Sequence, residues 1–376
     1  MSKTTYYVFS IILGLLVVIG FIAYLQGHGA TGLHDFVPWG LNVAAFAFFV
    51  GASAGATIIG LLVHGFGRDD YKPIGIRAVL VSLLSLIAAL LFILLDAGKP
   101  FTVLLVPWVF RNTGSVFFIT SLSYYLFMAI LLVELYYLRK VARGDADERD
   151  RKRAKWLALI AAPYALWVVH AFTGSIFGVI KAKEFWHSSL QPPHFVVSAL
   201  VTGTALMILV VIITSKTTGR ELLAEKTLEH SGKLLAFFLA VNFFFDFFDM
   251  LVLRYGEVAG QMEAWSLLTG RYAHLLILNI GGLVVALLIL LFKRGRQTRG
   301  GLTVASILAI AAVAAYRYTL VVVGSLVPKV PDLHGTSNIS YSPTWAEISV
   351  VVGVISLLML IYMGLSRAIP LQEASS

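Results

Sequence analysis

Two carboxylates and an amide share one face of an apolar stretch, AFFLAVNFFFDFFDMLVLRYGE, that runs from Ala236 to Glu257. Asn242, Asp246 and Asp249 fall at i, i+4 and i+7, so helical pitch brings them to one side while phenylalanines cover the others. A carboxylate at the centre of a bilayer costs about 2.5–3.5 kcal/mol on insertion scales, which turns this face toward protein or a wet cavity. Groups kept at that cost point to proton or substrate chemistry, the plainer alternative being an internal packing stripe. Other side chains of this kind are His170 inside an apolar run, with Trp167 one turn earlier on the same face, and Arg317 inside another. His34, Asp35 and Trp39 stand together just ahead of a further run, and Glu134 lies near the opposite end of its own. Arg317 is placed to pair with Asp246 or Asp249.

The elements that must position these groups are membrane helices. Hydrophobic residues make up 59% of the 376, charged residues only 13%, against roughly 25% in soluble domains. Hydropathy marks ten spans, at 5–26, 37–64, 74–96, 115–138, 156–180, 194–214, 233–254, 271–292, 302–323 and 345–365. The expected fold class is all-α, a polytopic membrane helical bundle, with no separate soluble domain. The first run, Tyr6 to Leu25, exceeds a signal-peptide core and lacks a convincing cleavage site, so a retained first helix is expected. Gly51 and Gly55 in the second span form a small-xxx-small face for close helix approach.

Charge sets the orientation. Of the 29 Lys and Arg, 21 fall at the N-terminus, after even-numbered spans or at the C-terminus; seven (Lys99, Arg111, Lys181, Lys183, Arg254, Arg271 and Lys329) fall on the other side. The positive-inside rule then puts both termini in the cytoplasm. The same asymmetry accounts for the net charge of +9 without a nucleic-acid partner. The outer connections, KAKEFWHSSLQPPHF and GSLVPKVPDLHGTSNISYSPTW among them, are rich in Trp, His, Pro and Gly, as a surface for a docked partner would be. Cysteine is absent, so an iron–sulfur cluster, a thiolate zinc site or a disulfide has no ligands in this chain, and no metal site is expected. Haem b would need two histidines at matching depth, and only His170 is plainly within the membrane, so no haem is expected either.

Several stretches resemble one family in order. LHDFVPWGLNVAAFAFFVGASAGATIIG (Leu33 to Gly60), LLDAGKP (Leu94 to Pro100) and ALWVVHAFTGSIFGVIKAKEFWHSSLQPPHFVVSALVTGTAL are similar to the polysulfide reductase NrfD-like membrane subunits. RYTLVVVGSLVP followed by SYSPTWAEISVVVG resembles the ten-helix branch that includes the hydrogenase-2 anchor and DsrP-type menaquinol subunits. The likeness spans about Leu33 to Gly364, with Phe248 and Asp249 departing from the family's small polar residue and glutamate. It implies two parallel four-helix-bundle repeats with flanking helices: a first helix in 1–30, an NrfD-like domain in 31–366 (spans 2–5 at 37–180, spans 6–9 at 194–323, span 10 at 345–365) and a tail from 367.

The resemblance also implies a function. It is that of the quinone-reactive membrane subunit of a respiratory oxidoreductase in the cytoplasmic membrane of a bacterium or archaeon. Electrons would pass between menaquinone or ubiquinone and an iron–sulfur partner outside, and through it a catalytic metal subunit. Quinone chemistry moves two electrons and two protons, and needs an apolar slot, hydrogen bonds to two oxygens and a titratable group. The expected quinone head position is the outer end between spans 2, 5 and 7, with His170, Asp249 and Asp246 exchanging protons and His34, Asp35, Trp39, Trp167 and Arg317 holding the ring. A proton path inward would start at Asn242 and end near Glu134. The alternatives are a secondary transporter, which should show broken helices in both halves, and a purely structural anchor.

Overall fold

The computed structural model describes residues 3–109, 112–327 and 340–368. Arg111, Lys329, most of the tail from 367 and the middle of the loop from Ser325 to Thr344 lie outside the described residues. Ten helices among those described are long and apolar enough to span: α1 (Thr4–Leu25), α2 (Leu41–His64), α3 (Asp69–Asp96), α4 (Val116–Arg143), α5 (Glu148–Gly178), α6 (Gln191–Thr218), α7 (Glu225–Tyr255), α8 (Ala273–Leu291), α9 (Arg299–Leu326) and α10 (Trp345–Arg367). The protein is an all-α polytopic membrane bundle, as its hydropathy requires.

Helix ends run past the apolar stretches where capping chemistry allows. The charged segment before Trp156 is the first two turns of α5, because the Asp147 side chain accepts from the Asp150 amide at 2.7 Å and caps the helix. Asp150 also pairs with Lys140 of α4, and Lys152 with Glu148 one turn away at 2.7 Å, so a stretch that reads as a solvated linker is held as helix. At the opposite end, the connections contain short helices at Pro100–Leu104, Val106–Val109 and Ala259–Thr269.

Packing divides the helices into α2–α5 and α6–α9, with α1 and α10 paired beside them against α3 and α2. The two sets meet chiefly where α2 crosses α6. At that crossing a Cβ on Gly55 would strike the carbonyl of Ala199, and one on Gly203 would strike the backbone of Gly55 and Ala56. Without side chains in the way the backbones touch, and dispersion and close packing hold helices that gain nothing from a hydrophobic effect inside lipid. Gly51, one turn earlier, leaves room for the His170 ring, which a Cβ there would meet at 3.1 Å.

Two helices are less regular than their sequences suggest. α2 breaks its hydrogen-bond ladder at Thr57, whose hydroxyl donates to the Ala54 carbonyl at 2.6 Å. In α5, Pro163 is followed by a π-helical segment from Tyr164 to His170. Proline supplies no amide hydrogen, and the extra residue in each π turn resets the direction of the side chains that follow.

Candidate functional site

Five helices bring polar side chains together near the end of the bundle opposite the termini. On α6, Gln191, His194 and Ser198 share one face. His194 Nε2 lies 3.6 Å from Asp246 Oδ1 of α7. Asp246 also accepts from Asn242 Nδ2 at 2.6 Å and, across α8, from Asn279 Nδ2 at 3.5 Å. The His194 ring is stacked on Phe245 and its centroid lies 4.4 Å from that of Tyr316. The Tyr316 hydroxyl donates to Gln191 Oε1 at 3.0 Å.

Next to this group Arg317 of α9 donates to Ser198 Oγ and, at 3.3 Å, to His170 Nε2 of α5, its guanidinium carbon 3.5 Å from the centre of the Phe195 ring. An arginine only donates, so His170 Nε2 must accept and the imidazole is neutral in this arrangement. Burial is nearly complete: 0% exposure for His170, 1% for Arg317 and Asp246, and 2% for His194 and Asn242. The cluster holds two imidazoles, a carboxylate and a guanidinium away from water, a set able to hold and exchange protons.

The structure redistributes the expected partners. Arg317 pairs with His170 and Ser198, and its contact with Asp246 is one of longer electrostatic range. Asp249 is half-buried, one turn nearer the surface, within electrostatic range of both Asp246 and His194. Trp167 does not share a face with His170: it is 71% exposed, because the π segment separates residues that an α-helix would stack. His34 and Asp35 are exposed in the loop before α2, His34 Nε2 lying 3.3 Å from the Ser340 carbonyl. Trp39 is stacked on Trp186 at 5.2 Å, and the Trp186 indole donates to the Leu320 carbonyl at 2.6 Å. Glu134 is buried in α4, on the other four-helix set from Asn242. His194, at the start of its apolar run, is internal, since Pro192 and Pro193 start α6 ahead of it and put it inside the first turn.

A cavity of about 270 Å³ lies at the same end, between α1, α2, α3 and α10. Leu25, Leu95 and Val350 give it apolar walls, and Thr31, Asn42, Asp96 and Glu347 bring polar groups to it. Asn42 is 5% exposed, and its Oδ1 has no hydrogen-bond partner among the described residues. Glu347 is engaged structurally: it accepts from the amides of Gly32 (2.9 Å) and Thr344 (3.0 Å) and from the Tyr341 hydroxyl (2.5 Å), which itself accepts from the Leu41 amide at 2.8 Å. Burial and the Glu347 carboxylate push the Tyr341 phenol well above its ordinary pKa, so it remains a donor. The cavity was not expected. Asp96 is the carboxylate of the LLDAGKP turn, and Asn42 a lone amide in an apolar helix; both are visible in the sequence, but only the packing of α1 and α10 shows that they face one space.

The family model "Polysulphide reductase, NrfD" matches residues 29–329. The chain belongs to the NrfD family. It is 29% identical to the Hdr-like menaquinol oxidoreductase integral membrane subunit of Archaeoglobus fulgidus, over 95% of this chain and 91% of that protein. It is 26% identical to the menaquinone reductase integral membrane subunit of Nitratidesulfovibrio vulgaris, over 93% of this chain and 87% of that protein. The bd oxidase structure from Geobacillus thermodenitrificans superposes with a TM-score of 0.57 at 10% identity over 96% of each chain, a likeness of fold alone. This NrfD protein is thus a multi-pass membrane protein related to membrane subunits of quinol-linked oxidoreductase complexes.

Proposed function

We propose that the chain is the quinone-reactive membrane subunit of a respiratory oxidoreductase, exchanging electrons between a menaquinone-type pool and an iron–sulfur partner docked at the end opposite the termini, on the non-cytoplasmic side. The observation that carries this reading is the cavity between α1, α2, α3 and α10. A quinone head needs open space with apolar walls, a hydrogen-bond partner for an oxygen and a group to exchange protons. The cavity has these in Leu25, Leu95 and Val350, in the amide of Asn42, and in Asp96. Being at the surface end, it keeps the ring close to a partner that must bring the electrons, since the chain has no cysteine to hold a cluster.

The cluster around Asp246 and His170 supports a complementary role in holding protons. Its side chains close on one another, and α2 links the two places, carrying Asn42 in the cavity and Gly51 against His170. Nine residues separate them, roughly 13 Å at 1.5 Å per residue. His170 Nε2 accepts from Arg317 and His194 Nε2 lies 3.6 Å from Asp246, contacts that support proton handling.

Steady-state kinetics on the purified complex test the placement. Asn42→Leu should raise the KM for a soluble menaquinol analogue about tenfold, and Asp96→Asn should lower kcat, while turnover of artificial dyes at the partner's metal site is kept. If both variants match wild type and His170→Leu or Asp249→Asn abolishes quinol turnover instead, the ring binds at the buried cluster.

A further inference from the structure

We infer that the termini end of the bundle carries a binding site for the phosphate of an anionic phospholipid, where α3 meets α10, with Arg77 as its anchor. Arg77 sits in the first turn of the α-helical part of α3, which begins at Gly75, and is 7% exposed. Its Nη1 donates to the Tyr362 hydroxyl of α10, at 3.2 Å. The Nε is buried with no hydrogen-bond partner, and no carboxylate pairs with the guanidinium, among the described residues.

The acids nearest in sequence are committed elsewhere. Asp69 pairs with Lys72 at 2.9 Å, and Asp70 is held by Arg68 at 2.8 Å and accepts from Thr227 at 3.0 Å. The following turn of α10 adds another cation, Arg367, whose guanidinium lies over the Tyr6 ring of α1 at 3.1 Å. At this level α3 and α10 therefore contribute two arginines and a tyrosine hydroxyl, and among the described residues no carboxylate pairs with either arginine. A buried guanidinium is costly to keep unpaired, and its planar fork of donors matches a phosphate.

The membrane itself supplies the anion. Spans begin and end at this level, most of the chain's Lys and Arg face this side, and headgroup phosphates lie at this depth. The lipid would do more than neutralise Arg77. It would bridge α3 and α10, two of the helices whose opposite ends wall the cavity, and α10 is the main support of α1. A bound headgroup should hold the α1–α10 pair against the bundle.

The purified protein or its complex, delipidated in detergent and titrated with phosphatidylglycerol or phosphatidylcholine, tests this through native mass spectrometry and thermal unfolding. Wild type should retain one phosphatidylglycerol per chain at high collision energy and gain melting temperature with that lipid and not with phosphatidylcholine. Arg77→Gln should lose the retained adduct, with about tenfold weaker binding, and lose the lipid-dependent gain. Arg77→Lys should keep part of it. Should Arg77→Gln not fold, Tyr362→Phe, which keeps the ring and removes one contact, is expected to weaken retention. Lys152→Gln, in an exposed pair with Glu148, should change nothing. Equal retention in wild type and Arg77→Gln, or in wild type and Tyr362→Phe, would overturn the site. Stabilisation by inorganic phosphate equal to that by phosphatidylglycerol would overturn the assignment to a lipid.

Discussion

Among the described residues, Asp246 has its charge answered directly only by Asn242, Asn279 and His194, with Arg317 further off. Asp249, one turn outward, is half-buried where Asp246 is fully enclosed. The two should therefore differ on mutation. In the assembled complex, Asp246→Asn is expected to cut quinol-linked turnover by about 10² or more, the scale of a lost acid–base group, while dye-linked turnover persists. Asp249→Asn should have the smaller effect. Equal and small losses in both would reduce the cluster to packing. A different residue tests the architecture near the cavity: Tyr341→Phe leaves the Leu41 amide and Glu347 Oε1 without their shared hydroxyl, so thermal unfolding in detergent should show a loss of about 1–3 kcal/mol. The polar stripe of α7 was legible because helical spacing needs no tertiary information. Which imidazole would face it was not, because His170 lies within one apolar run and His194 at the start of another, and only the depth and rotation of their helices assign Arg317 to one and Asp246 to the other.

At the scale of single elements, irregularity matters as much as span. The ten helices follow from hydropathy, since backbone polar groups in lipid must be satisfied within the segment. Their ends do not, because caps such as Asp147 lie outside the apolar stretch that hydropathy detects. Nor does the π segment of α5: Pro163 marks a disturbance, but not how the ladder recovers, and that recovery turns Trp167 out and leaves His170 in. The small residues of α2 pointed to a close crossing without naming the partner, which proves to be α6 through Gly203. Gly203→Ala has no room for its methyl against the Gly55 backbone, so it should destabilise the protein by about 1–3 kcal/mol in detergent unfolding. The same change at Gly300, where nothing lies near, should be close to neutral. If the two glycines behave alike, the two halves do not meet as tightly as described.

For the whole molecule, function depends on which end faces out. The cavity, the buried cluster and the short helices Pro100–Leu104, Val106–Val109 and Ala259–Thr269 lie opposite the termini, and most of the basic residues lie with the termini. Loops retained in the cytoplasm are enriched in Lys and Arg, so the site should open toward the outside, where a partner would dock. The chain has no cysteine of its own, which makes single introduced thiols unambiguous reporters. Thr269→Cys places one at the end of the exposed short helix between α7 and α8, and Asp145→Cys places one in the connection between α4 and α5. Both native side chains are exposed, so neither change should disturb folding. In cells with an intact membrane, an impermeant maleimide should label Thr269→Cys directly and Asp145→Cys only after permeabilisation. The reverse pattern would place the cavity on the cytoplasmic side, and would move the electron-transfer partner there with it.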